Sequence, residues 1–329
     1  SILPNLWITM VPMKQPFAST THFKMKKINT FITIISLGIL FGQGPSNTLF
    51  QQDKGESKKG KWVRDHYQYK VGNVDELKVN IDFGIGELTL DANMKPMVIN
   101  GDIFYYPSKV DPEIDYTERI GRGIFSIKTD HDKKYDFDFD DNTKLRGPLS
   151  EFENKLEFSI PKNIPIEFDM DFGIGEANID FTGLTLSRVI IDCGLGSMNV
   201  SMNTPNLETC DFLRIDTGLG EFNAEGLGNL NAREVDIEVG LGSADIDFRG
   251  EITKNIEIDI KVGMGSLDLV LPENVNVKAK VHHNFLSSVD LDDFIKKGNQ
   301  YLTEDWNSDW PTVYLDISVG LGSIDVNRR

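Results

Sequence analysis

Residues 235–248 read Val235-Asp236-Ile237-Glu238-Val239-Gly240-Leu241-Gly242-Ser243-Ala244-Asp245-Ile246-Asp247-Phe248. Up to the glycines, Val235, Ile237, Val239 and Leu241 alternate with acidic residues and Gly240, the period of two that marks a strand with one buried face. After Gly242 the apolar set becomes Ala244, Ile246 and Phe248, so the parity has moved by one. An uncorrected slip of that kind turns the apolar side to solvent. The chain is therefore expected to turn a corner at the glycine pair, using the freedom of glycine at positive φ.

The pattern recurs. Glycine pairs stand at Gly84 and Gly86, Gly173 and Gly175, Gly194 and Gly196, Gly218 and Gly220, Gly240 and Gly242, Gly263 and Gly265, and Gly320 and Gly322. In the central five copies the first glycines lie 21, 24, 22 and 23 residues apart, the spacing of a stacked array and not of a phosphate-binding loop. The slip recurs too: Val189, Ile191, Cys193 and Leu195 precede Met198, Val200 and Met202, and Ile256 to Met264 precede Leu267, Leu269 and Leu271. The fold expected is all-β, a β-solenoid-like stack of two-strand repeats with glycine corners and a period of about 22 residues, the inward side chains forming one apolar column.

Around this array the chain divides by composition. Residues 1–24 hold no acid and no strand period and read as a non-native upstream segment. Residues 25–44, with Lys26 and Lys27 before the apolar run Ile28 to Phe41, read as a signal peptide, the run falling short of the ~20 residues a membrane span needs. Residues 45–66 read as a flexible linker and 67–329 as a single β-solenoid-like domain: irregular over 92–160, where longer strands are expected, regular over 164–271, interrupted by an aromatic cap insertion at 272–313, and completed by a final repeat at 314–329. The cap contains His282, Phe285, Phe294, Tyr301, Trp306 and Trp310, and a stack needs such a cover because its last unit exposes apolar surface and unpaired backbone.

Charge narrows the partners. The full chain carries 34 Lys and Arg against 51 Asp and Glu, a net −17, and without residues 1–44 it is near −21. Such a chain repels nucleic acid and anionic lipid. Membrane contact is expected only through an uncleaved signal segment, and the partner expected is an envelope protein or polysaccharide.

Catalytic patterns are absent from the sequence. His282 and His283 are neighbours in an expected strand and point to opposite faces, poor geometry for one metal. The glycine pairs lack the third glycine and the helix of a dinucleotide site, and no cofactor is expected. Acidic rows are the sharper feature. Asp82, Asp171, Asp192, Asp216 and Glu238 precede successive glycine pairs by two residues, and Asp245, Asp268 and Asp325 follow later ones. Stacked about 4.8 Å apart, such carboxylates repel one another unless solvated or bridged by a cation, which makes Asp192, Asp216, Glu238, Asp245 and Asp268 calcium candidates beside the simpler reading of a solvated face. The alternation Tyr135 to Asp141 suggests one more strand with an acidic outer side. Cys193 falls on the inward parity and Cys210 in a turn, and export would permit a disulfide between them.

The run Ser201-Met202-Asn203-Thr204-Pro205-Asn206, the pair at Gly218, Gly226-Leu227-Gly228-Asn229 and Gly263-Met264-Gly265-Ser266 resemble the toast-rack family of exported bacterial proteins. The end of the chain, Phe294 through Gly298, Tyr301, Trp306 and Gly320-Leu321-Gly322-Ser323-Ile324, is similar to the C-terminal domain of LiaF-like envelope-stress proteins and to the putative-adhesin domains. The resemblance implies a non-enzymatic exported protein, periplasmic, cell-surface or secreted, acting as a structural or interaction module in adhesion or envelope stress. The alternative is a polysaccharide-active enzyme or carbohydrate-binding protein on a β-helical scaffold.

Overall fold

A computed structural model describes residues 51–53, 62–107, 109–130, 154–282, 286–291 and 294–329. The expected upstream segment, the signal peptide and the Tyr135 to Asp141 strand lie outside the described residues. The strands, in chain order, are β1 (Gln51–Asp53), β2 (Val63–Lys70), β3 (Glu76–Asn93), β4 (Val98–Tyr105), β5 (Asp111–Arg119), β6 (Arg122–Asp130), β7 (Asn154–Pro161), β8 (Pro165–Asp180) and β9 (Thr185–Ser201). They continue with β10 (Phe212–Glu225), β11 (Glu234–Asp247), β12 (Ile256–Leu271), β13 (Asn276–His282), β14 (Ser287–Leu291), β15 (Phe294–Lys297), β16 (Gln300–Thr303) and β17 (Thr312–Arg328). Among the described residues the helical content is one 3-10 turn, Leu227–Leu230. No described helix is long and apolar enough to cross a membrane.

All seven glycine pairs lie in long strands that pair side by side and parallel, in the order β3, β8, β9, β10, β11, β12, β17. The register matches glycine to glycine: Gly86 faces Gly175, and the match passes through Gly196, Gly220, Gly242 and Gly265 to Gly322. These units differ from the expected two short strands at a corner, because each is one strand of 14 to 18 residues running through its glycines. The pairing accounts for the difference. From Thr217↔Val239 the ladder between β10 and β11 passes directly to Leu219↔Leu241, leaving out Gly218 and Gly240. One inserted residue normally disrupts a ladder. Here every neighbour carries the same insertion, so the strands nest.

The burial pattern places the insertion at the first glycine. In β11, Val235, Ile237 and Val239 are buried and so are Ala244 and Ile246, and both sets belong to one continuous core. Parallel strands are usually apolar on both faces. These alternate cleanly because their outer face stays solvated. The inward position before the first glycine holds Phe83, Phe172, Cys193, Thr217, Val239, Val262 and Val319, all buried, with the rings of Phe83 and Phe172 stacked 5.6 Å apart. Each large side chain so buried contributes roughly 1.5–3 kcal/mol.

At each end of this parallel series one long strand faces two short ones. The first half of β3 pairs with β6 and its second half with β7, and the first half of β17 pairs with β13 and its second half with β14. Where β6 gives way to β7, the buried side chains of Thr129 and Asn154 serve the glycine segment. Thr129 Oγ1 accepts from the Gly84 N–H at 2.8 Å, and Asn154 Nδ2 donates to the Ile85 carbonyl at 3.0 Å. Side chains thus complete backbone bonding where no further glycine strand follows. In the turns, buried Asn206 donates to the carbonyls of Leu186 and Leu230 and accepts from the Leu186 N–H, tying neighbouring units together.

Elsewhere the structure corrects the sequence expectations in detail. Between residues 92 and 160 the strands β4 to β6 are 8 or 9 residues long, shorter and not longer than the regular ones. Strand β5 pairs antiparallel with β6 and β4 with β7, while β6 ends its pairing with β3 opposite Phe83 and β7 starts opposite Gly86, so neither runs through the glycine segment. Strand β2 begins at Val63, inside the expected linker, because Val63, Asp65 and Tyr67 alternate inward against β4.

Candidate interaction surface

The parallel register converts equivalent sequence positions into straight rows on the outer face. Two residues before the glycine pair run Asp82, Asp171, Asp192, Asp216, Glu238, Lys261 and Ser318. Five residues after the first glycine run Thr89, Asn178, Asn199, Asn223, Asp245, Asp268 and Asp325. Between these polar rows lies a third, at the centre of the glycine pair: Ile85, Ile174, Leu195, Leu219, Leu241, Met264 and Leu321.

This central row is the main departure from the sequence reading, which counted Leu241 and its equivalents as inward. From Ile174 to Leu321 they are 37% to 50% exposed. The reason is where the parity changes. With the extra residue at Gly240, Leu241 shares its side with Ser243 and Asp245, and Gly242 shares its side with Ala244. The middle residue is Ile, Leu or Met in every copy, which in the sequence reads as a continuation of the buried set; only the register, in which Gly240 is left out of the ladder, turns it outward.

The polar rows differ in how they are satisfied. Asn199 Nδ2 donates to Asn178 Oδ1 at 2.9 Å, and Asn223 Nδ2 donates to Asn199 Oδ1 at 3.0 Å. This amide ladder gives way to carboxylates at Asp245, where burial, and then the charge of Asp245, pushes the neighbouring Asp268 carboxyl up. In the other row, burial and then Asp82 and Asp192 push Asp171 up. Cations relieve the face locally. Arg214 lies 3.5 Å from Asp216, and Lys261 lies 3.3 Å from Asp259 and 3.7 Å from Asp236. Further up the first half, burial would raise the Glu167 carboxyl, but Lys78 at 3.0 Å, with Arg122 and Arg188, holds it below the usual range.

The calcium candidates are thus divided. Asp192, Asp216 and Glu238 stack in one row, and Asp245 and Asp268 stand in the other, across the apolar row from them. Among the described residues no group of three or more His, Cys, Asp or Glu is placed to hold a metal ion. His282 is exposed and lies 3.2 Å from Asp316, and its neighbour His283 is outside the described residues.

Cys193 and Cys210 are both buried and free, so the structure holds no disulfide between them. Burial pushes the Cys193 thiol up to about 11, with the charge of Asp171 adding to it, and the Cys210 thiol up to about 12. Both are therefore thiols at neutral pH and poor nucleophiles.

Outside the parallel series, Trp62 stacks on Phe104 with ring centroids 5.0 Å apart and meets Tyr106 edge-on at 5.7 Å. Trp62 and Phe104 remain partly exposed. Neither ring lies in a glycine unit, so the periodicity gave no hint of this cluster.

The fold and its rows define an all-β protein whose outer face carries equivalent positions in register. The chain belongs to the family described as the N-terminal domain of toast_rack, DUF2154, which matches residues 51–225. The glycine pairs from Gly240 onward lie beyond that match. No curated protein matches the chain. Among solved structures it is similar to a putative cell adhesion protein from Clostridium sporogenes, at 20% identity, covering 82% of this chain and 100% of that one with a TM-score of 0.43. It is also similar to a putative adhesin from Bacteroides fragilis, at 15% identity, covering 81% and 97% with a TM-score of 0.31. A putative adhesin from Parabacteroides distasonis matches at 13% identity, covering 81% and 97% with a TM-score of 0.35.

Proposed function

We propose that this chain is a non-enzymatic, exported cell-envelope protein that acts as a structural or interaction module, in adhesion or envelope-stress response. The observation that carries the reading is the surface. Seven strands lie in register, so the apolar residue between the glycines is offered along a line, with polar rows on either side, and does not converge on a point. Extended partners, a protein segment or a polysaccharide of the envelope, suit such a face.

In this reading the glycine strands are a β-solenoid-like stack with a repeat of about 22 residues. Strands β13 to β16 then cover its last unit, and β4 to β7 its first. Phe294 and Tyr301, packed against the core, support the cover at the C-terminal end. Residues 25–44 serve as the signal for export. The LiaF-like relationship of the last unit rests on Gly320-Leu321-Gly322-Ser323-Ile324.

A photo-crosslinking residue placed at outward positions such as Leu195 and Ser243, in the cells that make the protein, tests the proposal. Capture of defined envelope components at those positions is expected. Failure to crosslink from any outward row would contradict it. The alternative of carbohydrate binding has one observation in its favour, the exposed Trp62 and Phe104 rings, since sugars stack on aromatic faces. Loss of polysaccharide binding on replacing Trp62 by Ala would favour that alternative.

A further inference from the structure

From the central apolar row we infer a docking ridge for a cationic amphipathic helix about four to five turns long, a partner class that rests on the interaction-module reading above. The ridge is Ile174, Leu195, Leu219, Leu241, Met264 and Leu321. Its rungs sit on adjacent strands, so at about 4.8 Å per strand it runs roughly 24 Å. A contiguous exposed apolar line of that length marks an interaction site on a soluble protein.

The backbone excludes one mode of binding. Every strand from β8 to β12 is hydrogen-bonded on both sides, and β17 beyond them is flanked by β13 and β14, so the ridge does not run along a sheet edge open to an added strand. Only side chains are offered. A helix is the element that also presents only side chains, and its successive turns rise 5.4 Å, close to the rung spacing. Some 16 residues of helix, at 1.5 Å each, match the ridge, with apolar anchors at i, i+3, i+4 and i+7.

Charge selects among helices. Before the ridge run Asp171, Asp192, Asp216 and Glu238, with Lys261 next in the row; the first row after it sets Glu176 and Glu221 among Ser197 and Ser243, and the row beyond that carries Asp245 and Asp268. An apolar stripe bordered by Lys or Arg on both sides complements this arrangement. A second copy does not, because face-to-face ridges would set acidic row against acidic row, and an anionic bilayer meets the same repulsion.

The test uses the full chain and a fluorescein-labelled 18-residue Leu/Lys peptide with leucines at i, i+3, i+4 and i+7. A scrambled peptide of identical composition and a Leu/Glu peptide serve as comparisons, and binding is read by anisotropy. The Leu/Lys peptide is expected to bind at least tenfold more tightly than the scrambled one and the Leu/Glu peptide not to bind. Leu219→Ser with Leu241→Ser is expected to weaken binding about tenfold at an unchanged melting temperature, and Asp216→Asn with Glu238→Gln to weaken it and flatten its salt dependence. Equal binding of the scrambled peptide, unchanged binding by the serine variant, self-association through the ridge, or a preference for phosphatidylglycerol vesicles would each overturn the inference. Peptide failure with crosslinks still captured from outward positions would remove this partner alone. Failure of both would remove the interaction module as well.

Discussion

A β-carbon added to Gly242 would lie 1.9 Å from the carbonyl oxygen of Gly220 on the neighbouring strand. Gly242 also holds φ at +145°, where L side chains are strained. Gly240 is constrained differently. It takes no positive φ, but a β-carbon there would meet the Gly218 oxygen at 2.5 Å. Gly242→Ala should therefore cost about 3–5 kcal/mol, backbone strain and overpacking together, and Gly240→Ala about 1–3 kcal/mol from overpacking alone. Urea unfolding of both variants checks the order, and a Gly240 variant as unstable as the Gly242 variant would contradict it.

The placement of the inserted residue at the first glycine makes a second expectation. Leu241 faces solvent and Ile237, four residues earlier, is fully buried. Leu241→Ser should change stability by no more than about 0.5 kcal/mol, whereas Ile237→Ala should cost about 2–5 kcal/mol. Comparable losses at the two positions would place Leu241 back in the core.

Much of this was legible in the sequence, and the part that was not has a physical cause. Val235, Ile237 and Val239, then Ala244 and Ile246, mark the buried side of each half of the strand because strand periodicity records burial directly. The residue between the glycines was ambiguous, since Leu241 continues the period of two from Val239 and only the pairing shows that Gly240 drops out of the ladder. Positive φ belongs to Gly242 and not Gly240 for the same reason. The antiparallel pairs β4 with β7 and β5 with β6 were hidden because register between distant segments leaves no local trace. The constant offsets of Asp216, Asp245 and their equivalents from their glycine pairs suffice to set them in rows. That the rows stand on either side of an apolar line required the structure.

Like-charge stacking should be visible in the pH dependence of stability. Burial, then Asp82 and Asp192, raise Asp171 above the ordinary 3.8 of an aspartate. A carboxyl raised in the folded state binds its proton more tightly there than in the unfolded chain. Its contribution is fully present below 3.8 and is lost as pH rises through the folded value. Asp171→Asn should accordingly raise the melting temperature at pH 7, with the gain shrinking toward pH 4. Glu167, held low by Lys78 despite its burial, has the opposite sign, so Glu167→Gln should lower the melting temperature at pH 7 and matter less in acid. A destabilised Asp171→Asn protein at neutral pH would show that the row is held by bridging interactions.

Calcium distinguishes solvated rows from ion sites. With Asp216 beside Arg214 and the candidates split between two rows, millimolar Ca²⁺ should raise the melting temperature no more than Na⁺ at matched ionic strength, through screening. A saturable, calcium-specific rise abolished by Asp216→Asn would contradict this and follow the logarithmic dependence of site binding.

The most direct test of the central claim, that the glycine strands stack in register and carry their middle residues outward, is a distance. Ile174 on β8 and Leu321 on β17 are both exposed and are separated by five strand steps through β9, β10, β11 and β12. Nitroxides attached at Ile174→Cys and Leu321→Cys, in a protein with Cys193 and Cys210 replaced by Ala, should label fully in the folded state. Pulsed electron resonance should then give a narrow distribution centred near 24 Å, five spacings of about 4.8 Å. Labels that react only on unfolding, or a distribution centred beyond about 40 Å, on the order of twice those five spacings, would contradict the stack and the ridge together.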